Sequence, residues 1–463
     1  MVDTLTVKKK NEVYLTVDCD SGVAQELSEF FTFFVPGYKF MPAYKNKVWD
    51  GKIRLFNSRD RTIYGGLFKY IQEFAEVRQA TIQCEDDAYY GRPDTLDDID
   101  PAELVQFAEG LNLFAHGKKI EPRDYQYEAI FHALQNKKAL LLSPTGSGKS
   151  LIIYILIRWY LSRNDKKVLL VVPTTSLVEQ MYKDFQDYSS LDEEWDNEET
   201  CHRIYSGKEK INISQRVIIT TWQSIYKMQG TWFEPYGMVI GDEAHNFKAK
   251  SLASIMEKLR DARYRIGTTG TIDGTQTHKL VLEGLFGPVY QVTTTKKLMD
   301  SQTLSELEIS VLLLKYQDEY CQLMRDKSYQ EEIDWMVSHE PRNRFIRNLA
   351  TTQEGNTLVL FNYVEKHGKP LYDMIEAKLN EAPRRTRKLF FVSGGVETDE
   401  RERIRTITEQ HDGLIHLRFD KILIKIKPDF EVPLTNGTTK LAKYITIDDD
   451  VSDEWIRCNY TKV

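Results

Sequence analysis

The sequence predicts an α/β protein whose main part is a parallel sheet covered on both faces. Between about residues 119 and 293, short apolar runs alternate with helical stretches; the runs are ALLLS, VLLVVP, RVIITT, GMVIGDE and RYRIGTT. Such runs are typical of parallel strands buried on both faces. Helical segments between the strands indicate a layered α/β architecture. The third observation is a predicted strand, loop and helix at residues 139–161, whose loop contains the candidate phosphate-binding residues described below.

Composition places the chain among globular proteins with about two to four domains. Of its 463 residues, 41% are hydrophobic and 28% are charged, and the net charge of -7 excludes a polybasic coat protein. The five cysteines are scattered without a CxxC pair, so we predict neither a zinc site nor a disulfide framework. No apolar leader is present, and the most apolar stretch, 151–161, contains Arg158. We therefore expect no secretory signal and no membrane association. The scattered cysteines fit a reducing compartment, in agreement with a cytoplasmic location. As a separate expectation, the chain is a monomer in solution.

Four regions are predicted along the chain. A small N-terminal module with an acidic linker covers 1–115, and a first α/β domain covers 116–295. A second, partial domain covers 296–412, with NTLVLF and RKLFFVSG as its strands. A divergent tail of short strands and turns covers 413–463.

The N-terminal module contains alternating runs, VYLTV and KIRLF, and a locally basic window. Residues 36–70 include eight positively charged residues and two negatively charged ones, and aromatic residues are interleaved with them in the sequence. Positive charge attracts phosphates and aromatic faces stack on bases. A solvated basic surface over ordinary core aromatics explains the pattern equally well. The candidate nucleic-acid contacts here are Lys45, Lys47, Trp49, Lys52 and Arg54.

An acidic segment follows, from Glu85 to Glu103, with eight acids against Arg92. We interpret it as a solvated linker or an exposed helix.

A phosphate-binding loop is predicted after the apolar run ALLL and before the helical LIIYILIRWYL. Its glycines, Gly146 and Gly148, allow backbone N–H groups to curl around phosphate oxygens. The helix N-terminus adds partial positive charge, Lys149 can reach the β and γ phosphates, and Ser150 can ligate Mg²⁺. The predicted ATP-binding residues of the loop are Ser143, Pro144, Thr145, Gly146, Ser147, Gly148, Lys149 and Ser150.

The run GMVIGDEAH predicts a buried strand that ends in a pair of acids, 93 residues after the lysine of the phosphate loop. Asp242 would hold Mg²⁺ through water, and Glu243 would orient or deprotonate the attacking water. Either acid alone is more often a helix cap or a surface charge. Together with His245 and Lys149 they form the predicted catalytic set, with ATP and Mg²⁺ as cofactors.

In this order the motifs resemble those of the superfamily 2 helicases, whose second motif is written DEAH. The resemblance implies a RecA-like P-loop motor domain followed by a second, incomplete RecA-like domain. It also implies adenine recognition by Arg123 and Gln126 in RDYQ, and coupling of hydrolysis to movement by Thr269, Gly270 and Thr271. Motifs PTT and TWQS would contact nucleic acid through Pro173, Thr174, Thr221 and Trp222.

The stretch GYKFMPAYKNKVWDGKIRLF, the VPTT and TWQS motifs and the later KSYQEEI are similar to the UvsW helicases of T-even-like bacteriophages. That family places a small DNA-binding module before two RecA-like domains. The resemblance, from about Phe30 to His411, implies an ATP-dependent DNA helicase acting on branched DNA. Fork regression, junction migration and unwinding of RNA–DNA hybrids would be its reactions, in the cytoplasm of the phage's host.

The family pattern stops after about His411, because motif V and motif VI, written Q-x-x-G-R-x-x-R, are not found in this sequence. Motif VI supplies an arginine that stabilises charge on the transferred phosphoryl group, an effect of about 10³–10⁵ in related enzymes. Two further functions therefore stay open: ATP-gated nucleic-acid binding without unwinding, and a restriction-type translocase subunit. We also hypothesise that the coding sequence is interrupted or recombined after about His411, for example by an intron or intein. An uninterrupted locus lacking both motifs would contradict this hypothesis.

Overall fold

The structure is a computed structural model that describes residues 3–84, 99–205, 209–211, 213–248, 250–272, 276–304, 312–381, 387–394, 396, 398–419, 432–433, 439–440 and 443–446. It divides into two compact units, Met1–Glu306 and Leu307–Val463. Most of the predicted acidic linker, residues 85–98, lies outside the described residues.

The first unit begins with a small mixed α/β module. Its described strands form a five-stranded sheet in the order β5-β6-β2-β1-β7, and β3 pairs separately with β4. Strand β1 is antiparallel to β2 and parallel to β7. The elements are β1 Thr4–Lys9, β2 Tyr14–Asp18, α1 Ser21–Phe30, β3 Thr32–Phe34, α2 Pro42–Lys45, β4 Lys52–Arg54, β5 Phe56–Asn57, β6 Thr62–Tyr64, α3 Phe68–Arg78 and β7 Thr81–Cys84.

A connecting segment leads to the predicted parallel sheet. It contains α4 Pro101–Gly110, β8 Phe114–Ala115, β9 Lys118–Lys119 and α5 Asp124–Asn136. The sheet is parallel throughout its seven described strands, in the order β12-β13-β11-β14-β15-β10-β16. The elements are β10 Lys138–Leu142, α6 Lys149–Leu161, β11 Lys167–Val172, α7 Thr175–Tyr188, α8 Asn197–Thr200, β12 Cys201–Ile204, β13 Val217–Thr221, α9 Trp222–Ile225, β14 Tyr236–Asp242, α10 Lys250–Lys258, β15 Tyr264–Thr269, α11 Gln276–Phe286, β16 Val289–Gln291 and α12 Thr295–Asp300.

The predicted strands of this sheet are confirmed, and their burial explains their composition. Residues along β11 alternate between two core clusters: Leu169 and Val171 belong to one, and Val168 and Leu170 to the other. Helices α10 and α11 cover the first face, and α5, α6 and α7 cover the second. Because both faces are covered, the middle of β11 is apolar on both sides of the sheet, from Val168 to Val172.

The N-terminal module shares the first of these clusters and is joined to the sheet by buried polar contacts. The carboxylate of Glu12 forms ion pairs with two lysines: its Oε2 lies 3.4 Å from Lys138 Nζ, and its Oε1 lies 2.5 Å from Lys9 Nζ. Tyr64 donates to Glu257 at 2.6 Å, and a β-carbon on Gly66 would lie 1.9 Å from the carbonyl oxygen of Glu283. We call this contact region the attachment seam; its close approach and its ion pair fix the module against the first α/β domain.

The second unit contains a small parallel sheet in which β20 lies between β18 and β19. Strand β20 comes after residue 412, where we predicted the boundary of the divergent tail; that boundary stays a prediction. The elements are β17 Leu312–Lys315, α13 Asp318–Met324, α14 Tyr329–Ser338, α15 Glu340–Thr352, β18 Thr357–Phe361, α16 Lys369–Asn380, β19 Leu389–Val392, α17 Thr398–Gln410, β20 Ile415–Phe419, β21 Val432–Pro433, β22 Thr439–Lys440 and β23 Lys443–Thr446. Strand β23 pairs in parallel with β17.

Candidate nucleotide-binding site and nucleic-acid surfaces

The predicted motif residues of the first unit gather at the carboxyl edge of the seven-stranded sheet. Ser143 follows β10, Asp242 ends β14 and Thr269 ends β15. The two predicted nucleic-acid motifs follow β11 and end β13 at the same edge. In α/β sheets, this is the edge at which ligands bind.

The phosphate loop has the backbone that its glycines predict. Gly146 and Gly148 have φ values of +81° and +77°, a region that side-chain-bearing residues rarely adopt. A β-carbon at Gly148 would lie 2.3 Å from Gln126 Nε2, so no larger residue fits there. Inside the loop, the hydroxyl of Ser147 donates to the Pro144 carbonyl at 2.6 Å and contacts the Ser143 hydroxyl at 2.5 Å.

Lys149 and the acidic pair meet in space although 93 residues separate them in sequence. Lys149 Nζ lies 3.8 Å from Glu243 Oε1 and donates to the Ser143 carbonyl at 3.4 Å. The ammonium therefore lies between the loop and the end of β14, where the phosphates of a nucleotide held by the loop would be expected.

Asp242 is buried at the end of β14. Thr268 donates a hydrogen bond of 2.7 Å to its Oδ1, and the backbone N–H of Glu243 also donates to the carboxylate. Burial raises the pKa of the Asp242 carboxyl, and the bond from Thr268 opposes that rise. Sequence reasoning missed Thr268, which directly precedes the predicted coupling motif.

Glu243 is held by His245 on a strained turn. Its φ of +50° is in the left-handed region, which costs a glutamate free energy and is common at functional sites. His245 Nδ1 lies 3.3 Å from Glu243 Oε2 and 3.0 Å from Thr269 Oγ1. Hydrogen bonding from His245, together with the nearby Lys149, lowers the pKa of Glu243. The DEAH histidine thus connects the acid to the predicted coupling motif.

The predicted adenine-recognition residues contact the phosphate loop. Gln126 is 3% exposed; its Nε2 donates to the Ser147 carbonyl at 3.0 Å, and its Oε1 accepts from the Arg123 backbone at 2.8 Å. Tyr125, which the motif analysis did not single out, also donates to the Ser147 carbonyl at 3.1 Å. The adenine contact itself stays a prediction.

Ser150, the predicted Mg²⁺ ligand, has an unforeseen partner. Its hydroxyl lies 2.8 Å from the hydroxyl of Tyr188, the last residue of α7. Burial raises the pKa of Tyr188 to about 12, so the phenol is protonated at neutral pH. No local sequence pattern could have revealed this pair, because 38 residues separate its members.

The predicted nucleic-acid residues at the sheet edge differ in accessibility. Thr174 is exposed, and its hydroxyl caps α7 by accepting from the Leu177 backbone at 3.3 Å. Thr221 is buried, with its hydroxyl 3.0 Å from that of Ser224. Pro173 and Trp222 are half-buried.

The predicted contacts of the basic window separate into two groups. Lys45 and Lys47 are exposed. Arg54 is bound to Asp50 at 2.5 Å, the half-buried Trp49 donates its indole N–H to the Lys52 carbonyl at 2.9 Å, and Lys52 Nζ lies 4.9 Å from the centre of the Phe34 ring. These last three residues are engaged within the module.

Arginines of the second unit make contacts within that unit. Arg401 donates to the carbonyls of Ser393 and Gly394 at 3.0 and 3.2 Å, and Arg403 lies 3.7 Å from Glu400. Arg418 is exposed on β20.

Among the residues that the structure describes, no group of three or more His, Cys, Asp or Glu side chains is arranged to hold a metal ion. Within the same residues, no helix is sufficiently long and apolar to cross a membrane.

The parallel sheet, the phosphate loop and the acidic pair at its edge define a P-loop nucleotide hydrolase with a helicase-type motor core. Residues 119–274 match the family "Type III restriction enzyme, res subunit", and residues 4–90 match the family "DNA helicase UvsW, N-terminal".

Similarity to individual proteins shows which helicase family the chain belongs to. The ATP-dependent DNA helicase uvsW of Enterobacteria phage T4 is 31% identical over 412 residues, which cover 87% of this chain and 78% of that protein. A crystal structure of T4 UvsW matches with a TM-score of 0.56 and 29% identity, over 90% of this chain and 80% of that chain. The DNA 3'-5' translocase XPB2 of Sulfurisphaera tokodaii is 28% identical over 171 residues, 37% of this chain and 35% of that protein. The chain belongs to the UvsW family of ATP-dependent DNA helicases.

Proposed function

We propose that this chain is an ATP-driven motor that acts on branched DNA, regressing forks, migrating junctions and unwinding RNA–DNA hybrids. The observation that carries the proposal is the attachment seam. It fixes a module with an exposed basic surface to the domain that contains the nucleotide site. A motor coupled rigidly to a second DNA-contacting surface is suited to a substrate that offers two arms.

In the proposed hydrolysis, the phosphate loop cradles the β and γ phosphates through its backbone N–H groups, and Lys149 neutralises their charge. Glu243 orients a water molecule and accepts its proton as the oxygen attacks the γ phosphorus. The bond between that phosphorus and the β–γ bridging oxygen breaks, and ADP leaves. His245 keeps Glu243 in place and links it to Thr269, whose motif we propose passes the change to the DNA-contacting edge.

We propose that Ser150 and Asp242 hold Mg²⁺. A hydroxyl and a carboxylate are the hard oxygen donors that Mg²⁺ prefers, and few protein ligands are expected because phosphates and waters complete its shell. Bound there, Mg²⁺ would neutralise charge on the β and γ phosphates.

The experiment that tests this function is steady-state ATP hydrolysis by the full chain with forked DNA and with a fully paired duplex of equal length. We expect faster turnover with forked DNA, together with strand exchange at the fork. Equal stimulation by both DNAs would contradict action on branched DNA while leaving the motor intact.

One observation favours a second candidate function, ATP-gated DNA binding without unwinding. The sequence contains no motif of the form Q-x-x-G-R-x-x-R, which supplies a transition-state arginine in helicases of this superfamily. Tight nucleotide and DNA binding with negligible turnover in the same assay would favour this alternative.

We further propose that the chain works as a monomer in the cytoplasm of a phage-infected host. The similarity to a phage T4 helicase supports the location. Sedimentation of the purified chain with and without DNA measures the oligomeric state, and a stable dimer would contradict the monomer.

A further inference from the structure

The N-terminal module presents an apolar and basic loop for which its own fold gives no structural role. Residues 36–50, which we call the 36–50 loop, connect β3 to β4. The backbone N–H of Val35 donates to the Gly51 carbonyl at 2.9 Å and closes the base of the loop. A 3₁₀ turn, Tyr38–Phe40, and helix α2 give it internal structure.

The aromatic residues that hold the loop together are its tyrosines. The Tyr38 ring stacks on Phe34 at 4.7 Å and meets the edge of Tyr44 at 4.8 Å. A β-carbon on Gly51 would lie 2.3 Å from the Tyr38 ring, so the ring also packs closely on the loop base. The loop therefore has a packed interior of its own.

Phe40 and Val48 do not belong to that interior. They are 80% and 81% exposed, whereas the ordinary place for such side chains is the core. Met41 between them in sequence is 37% exposed. A single exposed apolar residue is common on protein surfaces, but three within one ordered 15-residue loop indicate a contact surface.

The charges of the loop identify the class of partner. Lys39, Lys45 and Lys47 are exposed, and within the described residues no acidic side chain forms an ion pair with them. The acid of the loop, Asp50, is bound to Arg54. Lys39 Nζ lies 5.9 Å from the centre of the Tyr38 ring, a contact that leaves its charge without an acidic partner among the described residues. Exposed lysines without acidic partners, in one loop with exposed apolar side chains, match the phosphates and base faces of a nucleic acid, and proteins insert Phe and Met side chains between bases in this way.

We propose that Phe40 is a base-stacking residue, which inserts against an unpaired or unstacked base at the branch point while Lys39, Lys45 and Lys47 contact the flanking phosphates. Within a continuous duplex, stacked bases leave no face for the ring. At a fork or junction, bases beside the branch are open. The inference rests on the proposed action on branched DNA and adds the residue that would distinguish a branch from a duplex.

The test compares DNA binding by the full wild-type chain and by Phe40→Ala, using forked DNA, single-stranded DNA and a paired duplex at several salt concentrations. We expect Phe40→Ala to weaken binding to the fork and the single strand about tenfold, within the range for loss of one base stack. Duplex binding and the salt dependence should not change, since no charge is removed. Phe40→Trp should retain fork binding.

A matched control is Val77→Ala, which removes an apolar side chain that is 88% exposed on α3, outside the loop. It should bind all three DNAs like the wild type. Fluorescence of 2-aminopurine placed at the branch reports base stacking directly. Binding of the wild type should change its emission, because Phe40 stacks on the base, and binding of Phe40→Ala should leave the emission unchanged.

The outcomes separate the two proposals. If the wild type prefers the fork and Phe40→Ala binds it equally well, base stacking is wrong while branched-DNA action stands. If the wild type shows no preference for the fork but Phe40→Ala weakens single-strand binding, base stacking stands and branched-DNA action is wrong. Loss of duplex binding in Phe40→Ala would contradict stacking, since a duplex offers no open base.

Discussion

The carboxyl edge of the parallel sheet and the 36–50 loop use polar groups in opposite ways. At the edge, each predicted catalytic side chain already has a protein partner: Lys149 contacts Glu243, and Asp242 accepts from Thr268. In the loop, Lys45 and Lys47 are exposed and lack an ion-pair partner among the described acids. The edge is organised for one reaction geometry, and the loop is suited to a partner whose shape varies.

The largest expected effect tests the edge. Lys149→Ala should reduce ATP turnover at least about a hundredfold, because the phosphates lose a preorganised positive charge. DNA binding by the 36–50 loop should persist. Turnover assays and DNA anisotropy on the same preparation measure both. Lys166→Ala removes an exposed lysine just before β11, at the other end of the sheet, and is the control. Normal turnover in Lys149→Ala would mean that the assigned loop does not bind the nucleotide phosphates.

A second prediction concerns the attachment seam that holds the two regions together. Glu12→Gln breaks a buried ion pair and should cost about 3 kcal/mol of unfolding free energy, at the low end of such losses. The loss is limited because burial lowers the pKa of its partner Lys138 to about 8, so that the lysine can become neutral. Denaturant unfolding at pH 7 measures the change. An unchanged midpoint would show that the pair does not stabilise the seam.

The same substitution has a pH signature. The nearby lysines hold the pKa of Glu12 below its ordinary value of 4.5, although burial alone would raise it. Glu12 therefore contributes stability that is present above about pH 4.5 and is lost as the pH falls through the lower pKa of the folded state. The difference in stability between wild type and Glu12→Gln should shrink over that acidic range. A constant difference would contradict the ion pair as its source.

The next prediction tests the loop by its salt dependence. Replacing Lys45 and Lys47 with alanine should lower the slope of log binding constant against log salt by up to about 1.8 for a duplex, at roughly 0.9 for each phosphate contact. Arg54→Ala is the matched control, because Asp50 already neutralises Arg54 and the slope should stay near that of the wild type. If the slope changed more in Arg54→Ala than in the double variant, Arg54 rather than Lys45 and Lys47 would be the phosphate contact.

The smallest expected effect concerns Tyr188. Tyr188→Phe removes the hydroxyl that contacts Ser150 and keeps the ring, which lies 5.5 Å from that of Tyr154. We expect half-maximal ATP turnover to require about fivefold more Mg²⁺, the equivalent of one hydrogen bond of roughly 1 kcal/mol, with the full rate restored at high Mg²⁺. Tyr160→Phe, which alters a buried tyrosine of the same cluster, should not shift the Mg²⁺ requirement. A lower Mg²⁺ requirement in Tyr188→Phe would show that the tyrosine competes with the cation.

The difference between the regions also explains what could be predicted from sequence. Strands such as β11 and β14 and the phosphate loop depend on neighbouring residues, so apolar runs and glycine positions predict them. The partners of Ser150 and Arg54 depend on which side chains the fold brings together. Tyr188 has no local signal at all, and the Asp50–Arg54 pair resembles any acid near any base until its geometry is known. The charge count of the basic window follows directly from the sequence, but it does not indicate which of the window's residues are accessible.

The position of β20 has a consequence for how the second sheet is made during synthesis. Strands β18 and β19 do not pair with each other; each pairs with β20, which follows both in the chain. A ribosome must therefore release residues beyond 419 before either of the earlier strands can find its partner. Until then both expose unpaired backbone edges, which are templates for association between chains. Translation that pauses between β19 and β20 would accordingly leave the nascent chain vulnerable to aggregation or to capture by a chaperone.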